Sequence, residues 1–392
     1  MDYFRDLKTL IQRRLGENAP LIQVVIGPRQ VGKTTAIRQA FPQGKYVTAD
    51  SPVPFVANEI EGWWTDAISS PTKTLIIDEV QKIRGWAEIV KRLWDQRKGS
   101  IKLLLSGSAA VSIEKELKES LAGRYELIRA DHWNYSEAKE VFGMKLNEYI
   151  EFGCYPGSIT FLSDRERWAS YIRDSIVEPV IGRDILQLHP IENPALLRQL
   201  FGFCISVPAQ AISLNKLQGQ LGDRGAIATI QNYLELLSMG FLVTGLQKYS
   251  PQPIRVRRSS PKIIVHDNAL IRAFERPVGL TIEPSRFGRY LENAVAARFI
   301  ESGWDTYYWS ERNLEVDLVV IGPNGERLAI EVKSGEVEKK ELNGLRIFCE
   351  RHKGFTPCIV SQKKTEIPGF KYLPAESVLR LGFLQSNLQN FT

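Results

Sequence analysis

Three continuous apolar runs punctuate the first third of the chain: "PLIQVVIG" ending at Gly27, "TLIID" ending at Asp78 and "IKLLLSGS" ending at Ser108. Runs of this kind, separated by helical stretches, predict parallel strands buried on both faces of an α/β domain. Ahead of them Phe4, Leu7, Leu10, Ile11 and Leu15 recur at helical spacing and predict an amphipathic helix. From about Trp133 to His189 the period is helical, in "SEAKEVFG" and "RERWASYIRDSIVEPVIGRDIL", with the turn-like "GCYPGS" between. Residues 193–265 read as three helices and a β-ribbon. Ser213 caps the second helix, and Ile227, Ile230, Leu234 and Leu237 share a face of the third before Gly240. That order describes a winged helix. The last block reads helix ("YLENAVAARFIESG"), three strands ("DTYYWS", "EVDLVVIG", "RLAIEVKS"), helix, strand.

A chain of 392 residues exceeds one average domain. With 43% hydrophobic and 24% charged residues it is of globular composition, which excludes wholesale disorder. Net charge is +6, compatible with a nucleic-acid partner but too thinly spread to demand one. The opening "MDYFRDLKTLIQRRL" lacks the apolar core of a signal peptide, and no uncharged stretch is long enough to span a bilayer. A cytoplasmic protein without a membrane partner is expected. Cys154, Cys204, Cys349 and Cys358 show no CxxC pairing and predict reduced thiols. "CERH" followed by Cys358 offers three soft ligands, but split between a helix and a strand, and no structural zinc is expected of them.

"GPRQVGKTT" fits G-x-x-x-x-G-K-T, between a buried strand and a helix. Gly27, Pro28, Arg29, Gln30, Val31, Gly32, Lys33, Thr34 and Thr35 are therefore the candidate ATP-binding residues. Glycines let backbone amides turn toward phosphate oxygens, and the helix N-terminus adds its positive dipole end. Lys33 is suited to the β- and γ-phosphates, and the Thr34 hydroxyl to Mg²⁺. "TLIIDEVQK" places Asp78 in the metal shell and Glu79 where it can polarise a water toward the γ-phosphate. Ser106 or Ser108, at the end of the third run, can hydrogen-bond that water or the phosphate.

A second candidate lies in "LAIEVKSG". Side chains alternate along a strand, so Glu331 and Lys333 share a face. If "EVDLVVIGPNGERLAIEVK" folds about Asn324, Asp317 falls opposite Glu331. Two carboxylates that close invite a cation, Mg²⁺ or Mn²⁺, and a nearby lysine can stabilise a developing oxyanion. In "RVRRSSPK", Arg255, Arg257, Arg258 and Lys262 fall in the wing as candidate DNA or RNA phosphate contacts, with Gln231 and Asn232 on the third helix as nominees for base contact.

Together "GPRQVGKTT", "LIIDEVQKIRGWAEIVKRLWD", "LLLSGSAA" and "LAGRYELI" resemble the prokaryotic AAA-type ATPases that carry a winged helix and a PD-(D/E)XK nuclease-like domain behind the ATPase. The resemblance implies an α/β chain in four parts. These are a P-loop (RecA/AAA-like) parallel-sheet ATPase domain at 1–132, a helical lid and connector at 133–192, a winged helix at 193–265 and a restriction-endonuclease-like domain at 266–392. It implies ATP hydrolysis, with Arg124 of "LAGR" sensing the γ-phosphate, and adds Glu292 to the metal shell of Asp317 and Glu331. A serine stands where many relatives of that class place an asparagine or threonine sensor. Arg124 can serve its own nucleotide, a neighbour's in a homo-oligomer, or a surface salt bridge. Two functions follow: an ATP-driven enzyme acting on nucleic acid with a metal-dependent nuclease site, or a non-cutting regulatory ATPase that switches its hold on nucleic acid or protein. A metabolite kinase is disfavoured, since no separate small-substrate pocket is evident.

Overall fold

The structure, a computed structural model, describes residues 3, 5–17, 21–108, 110–186, 191–222, 226–251, 260–276 and 282–382. The chain divides into two compact units, one of residues 1–130 with 182–190, the other of 131–181 with 191–392.

In the first unit, helix α1 (Asp6–Gly16) buries Leu7, Leu10, Ile11 and Leu15 as its spacing predicts. Then come β1 (Ile22–Ile26), α2 (Lys33–Ala40), β2 (Lys45–Thr48), α3 (Glu59–Ser69), β3 (Thr74–Asp78), α4 (Trp86–Gln96), β4 (Lys102–Gly107), α5 (Ala110–Ser120) and β5 (Tyr125–Arg129). The strands form one parallel sheet in the order β2-β3-β4-β1-β5. Its three central strands are the three apolar runs: β1 and β3 are buried throughout and β4 at every position but Lys102. β2 and β5 are its edges and only half-buried, so their sequences keep a mixed polarity that hides them. Because all five strands are parallel, the loops after β1, β3 and β4 leave from one edge of the sheet, where α/β folds place their ligands.

The second unit begins with α6 (Tyr135–Phe142), α7 (Leu146–Phe152), α8 (Pro156–Ile159) and α9 (Arg165–Tyr171). Asn134 and Glu137 close a reciprocal capping box on α6. A π-helical stretch follows, Ile172–Val177, and a second, Val180–Ile185, runs on into the 182–190 segment that belongs to the first unit. Next are α10 (Pro194–Ser206), β6 (Gln210–Ala211), α11 (Leu214–Gln220), α12 (Ile227–Met239), β7 (Val243–Leu246) and β8 (Lys262–Val265). The three strands form an antiparallel sheet in the order β6-β8-β7. Ser213 caps α11 by accepting from the Lys216 amide. On α12 the buried face is Ile230, Tyr233, Leu234 and Leu237, whereas Ile227 is exposed. Arg255, Arg257 and Arg258, the expected phosphate contacts, lie outside the described residues.

The unit closes with α13 (Ala269–Arg272), α14 (Pro284–Glu301), β9 (Asp305–Glu311), β10 (Leu314–Ile321), β11 (Arg327–Lys333), α15 (Asn343–Arg351), β12 (Thr356–Ser361), β13 (Lys371–Pro374) and α16 (Ala375–Leu379). The sheet order is β13-β12-β11-β10-β9, antiparallel from β9 to β11 and parallel from β11 to β13. Trp309, Val316, Val319, Ala329, Leu345, Phe348 and Phe355 form its core. A Cβ at Gly344 would stand 2.1 Å from the Glu315 carbonyl oxygen, so only glycine lets α15 press this closely on β10. Among the described residues no helix is long and apolar enough to cross a membrane.

Candidate functional site

The segment 27–32 leaves the buried end of β1 and turns directly into α2. A Cβ at Gly27 would meet the Ala130 carbonyl oxygen at 2.4 Å, and Gly32 holds φ +88°, so both positions require glycine. Gln30 also adopts a left-handed conformation, φ 58°, which is uncommon without a glycine. Arg5 donates from Nη1 to the Val31 carbonyl at 2.9 Å and ties α1 to the loop. Lys33 lies buried under the turn and donates to the carbonyls of Gly27, at 2.9 Å, and Pro28, at 2.5 Å. Burial draws its ammonium down to about 8, against the opposing pull of Glu79 and Asp78.

Asp78 ends β3 with its carboxylate buried and accepts four hydrogen bonds. Thr34 Oγ1 donates to Oδ2 at 2.7 Å, as does the Tyr46 hydroxyl at 2.7 Å. Ser106 Oγ and the Glu79 amide donate to Oδ1. Glu79 follows at φ 54°, another left-handed position, and its Oε2 accepts from Gln81 Nε2 at 2.5 Å and Ser108 Oγ at 3.2 Å. Strain of about 1–3 kcal/mol at such residues persists where the surroundings hold them, often at functional sites. Thus Thr34, Asp78, Glu79, Ser106 and Ser108 come together as the spacing predicts, while Tyr46 and Gln81 join them unannounced. The hydroxyl of Thr34 beside a carboxylate is an oxygen donor pair of the kind a hard divalent cation takes.

Arg29 forms a two-point pair with Asp184, Nε to Oδ2 at 2.6 Å and Nη2 to Oδ1 at 2.6 Å. Sequence reading missed Asp184, which lies 155 residues away. Arg124 does not join the cluster. Its carbonyl accepts from the Ile22 amide at 2.9 Å, which places it where β1 begins, at the end of the sheet opposite the glycine loop. Five strand residues separate the two ends, about 16 Å at ~3.3 Å per residue. Its guanidinium is engaged by Asp95, at 2.7 and 2.9 Å. Within one chain, Arg124 therefore makes a surface salt bridge and does not reach the loop.

In the second unit the hairpin register runs from Leu318↔Ile330 to Ile321↔Arg327, a fold about Asn324 that brings Asp317 opposite Glu331. Asp317 Oδ2 accepts from the Val332 amide at 2.9 Å, and Lys333 Nζ lies 3.2 Å from Glu331 Oε1. Burial, with the Asp317 charge adding and Lys333 opposing, holds Glu331 well above the usual carboxylate range. The same two causes push Glu292 up to about 8, opposed by Lys262.

Lys262 overturns one expectation, that of a phosphate contact in the wing: it is 1% exposed. Its Nζ stands 2.5 Å from Glu292 Oε1, 3.4 Å from Glu315 Oε1 and 3.6 Å from Asp317 Oδ1. Burial works against this ammonium, but the three carboxylates hold it above the ordinary lysine range. Among the described residues, the one group of three His, Cys, Asp or Glu ligand atoms within 4.8 Å of one another is His132, His266 and Glu301, not Asp317, Glu331 and Glu292. A buried Lys262 does not fit the role of a phosphate contact.

The five-stranded parallel sheet and its glycine loop define an α/β P-loop ATPase-like domain. Residues 19–149 match a family model described as an AAA domain. Residues 143–281 and 287–378 match models described as domains of unknown function, DUF8612 and DUF4143. An uncharacterized protein of Methanocaldococcus jannaschii is 27% identical over 331 residues, covering 75% of this chain and 72% of that protein. One of Mycobacterium tuberculosis is 26% identical over 322 residues, covering 81% and 70%. Among solved structures, the Walker-type ATPase of Pyrococcus abyssi is similar at TM-score 0.46 and 13% identity, covering 69% of this chain and 95% of that one. The RuvB Holliday junction branch migration motor of Thermotoga maritima is similar at TM-score 0.31 and 17% identity, covering 62% and 86%.

Proposed function

We propose that the chain binds and hydrolyses ATP, and that nucleotide state switches its hold on a nucleic acid without cutting it. The observation that carries the ATPase reading is Asp78, buried at a central strand end with the Thr34 and Ser106 hydroxyls donating to it. Backbone amides of 27 and 29–32 and the Lys33 ammonium grip the phosphates. Thr34 and Asp78 are the residues that would hold Mg²⁺, whose charge would neutralise the β- and γ-phosphate oxygens. Glu79 takes the proton of the attacking water, while Gln81 and Ser108 fix the orientation of its carboxylate. Lys33→Ala is expected to lose nucleotide binding by calorimetry. Glu79→Gln is expected to bind ATP and hydrolyse it poorly. Equal activity in both variants removes the assignment.

Three helices with a small antiparallel sheet, α10 to β8, support a winged-helix reading of 193–265 and hence a nucleic-acid partner. The buried Lys262 ammonium among Glu292, Asp317 and Glu315 supports the non-cutting form. A cutting form is favoured by one observation, the convergence of Asp317, Glu331 and Lys333 on adjacent strands. Incubation with Mg²⁺ or Mn²⁺ and linear, nicked or branched DNA separates them. Cleavage by the parent protein that is absent from Asp317→Ala defeats the non-cutting proposal.

A further inference from the structure

We infer that His132, His266 and Glu301 form a binding site for one divalent first-row transition-metal ion of the zinc class. The three residues come from separate segments of the second unit: the stretch before α6, the stretch after β8 and the last turn of α14. All three side chains are at most 5% exposed. Both imidazoles turn Nδ1 to the same atom, Glu301 Oε1, His132 in direct contact and His266 at 3.3 Å. Two ligands of a tetrahedral zinc ion, each ~2.0–2.1 Å from the metal, stand about 3.4 Å apart, so the His266 to Glu301 spacing already suits it. His132 needs only to move outward as the ion replaces the proton between it and Glu301.

The far side of each ligand is engaged, as metal ligands require. His132 Nε2 meets the Tyr155 hydroxyl at 2.9 Å, and His266 Nε2 meets Thr244 Oγ1 at 2.7 Å. Both partners can accept an Nε2–H, which leaves Nδ1 free to ligate. Glu301 Oε2 accepts from Arg298 Nη2 at 3.1 Å and from the His132 amide at 3.2 Å, leaving Oε1 for the ion. A cavity of about 20 Å³, lined by His132, His266, Asp267 and Glu301 among others, adjoins them. That is room for one water as a fourth ligand. Two carboxyls, Glu301 and Asp267, stand beside the two imidazoles, and the Arg298 guanidinium is shared between Asp131 at 2.8 Å and Glu301 at 3.1 Å. An imidazole-carboxylate donor set suits zinc, and equally iron or nickel, over calcium or magnesium.

The test uses the full chain, saturated with Zn²⁺, dialysed against metal-free buffer and assayed by elemental analysis. One zinc per chain is expected in the parent protein and in Thr34→Ala, and none in His266→Ala or Glu301→Gln. Because those variants remove buried partners and could unfold, the parent protein is also loaded with Co²⁺. Visible ligand-field bands of a low-coordinate nitrogen and oxygen site are expected, without thiolate charge transfer. Absence of bound metal overturns the inference, as does zinc retained by His266→Ala. A thiolate band would assign the ion to the cysteines, and loss in Thr34→Ala would assign it to the phosphate loop; either also overturns it.

Discussion

Replacing Lys262 with methionine keeps most of the side-chain volume and removes the ammonium from a site that is 1% exposed. Glu292 and Asp317 then face each other without their counter-charge, 2.5 and 3.6 Å from the missing nitrogen. Removing one member of a buried ion pair costs about 3–5 kcal/mol. The lower figure applies at pH 7, because Glu292, pushed up to about 8, already holds a proton there in most molecules and stays neutral when the ammonium is removed. At ~2–4 °C per kcal/mol for a unit of this size, the melting temperature falls by about 6–12 °C. The pH dependence has a definite sign. A carboxyl raised in the folded state above its ordinary 4.5 contributes stability that is present below that value and lost as pH rises. Without Lys262, whose charge holds it down, Glu292 rises further, so the difference between variant and parent stays level from pH 5 to pH 7 and widens as pH rises through about 8. Calorimetric melts of both proteins at pH 7 and pH 9 measure this. A drop under about 2 °C at pH 7, or a difference that narrows from pH 7 to pH 9, refutes the counter-charge role of Lys262.

Three further outcomes follow from the first unit. Ser108→Ala, which removes one of the two donors to Glu79 Oε2, lowers kcat for ATP about tenfold with little change in KM, the size expected for misorienting a general base. An unchanged kcat in steady-state assays disconnects Ser108 from Glu79. Asp184→Asn leaves Arg29 with a neutral partner and lowers stability by about 1–3 kcal/mol, visible as an earlier thermal transition. Arg124→Ala, measured at protein concentrations too low for self-association, leaves hydrolysis within about twofold, since Arg124 sits at the far end of β1 with Asp95. A loss beyond tenfold there contradicts the geometry.

What could be read from the residues was what depends on near neighbours. β1, β3 and β4 were legible because burial on both faces demands unbroken apolar sequence. The glycine loop was legible because its chemistry occupies nine consecutive residues. The hairpin about Asn324 was legible because a tight turn fixes register, and with it the juxtaposition of Asp317 and Glu331. Lys262 was misread for the opposite reason. Beside three arginines it resembled a solvated ribbon, and its carboxylate partners come from α14 and β10, which no local pattern announces. Tyr46 was hidden likewise: strand β2 is short and half-exposed, and only parallel pairing with β3 carries its hydroxyl to Asp78.

The short return at 182–190 has a practical side. The polypeptide leaves the first unit at residue 130, spends some fifty residues in the second, comes back to lodge Asp184 against Arg29, and departs again. The first unit is thus discontinuous along the chain. An expressed fragment stopping at residue 130 would retain every glycine of the loop yet strand a guanidinium at its rim. Dissection by simple truncation is therefore the wrong instrument, and grafting 182–190 back through a linker is the way to isolate this unit.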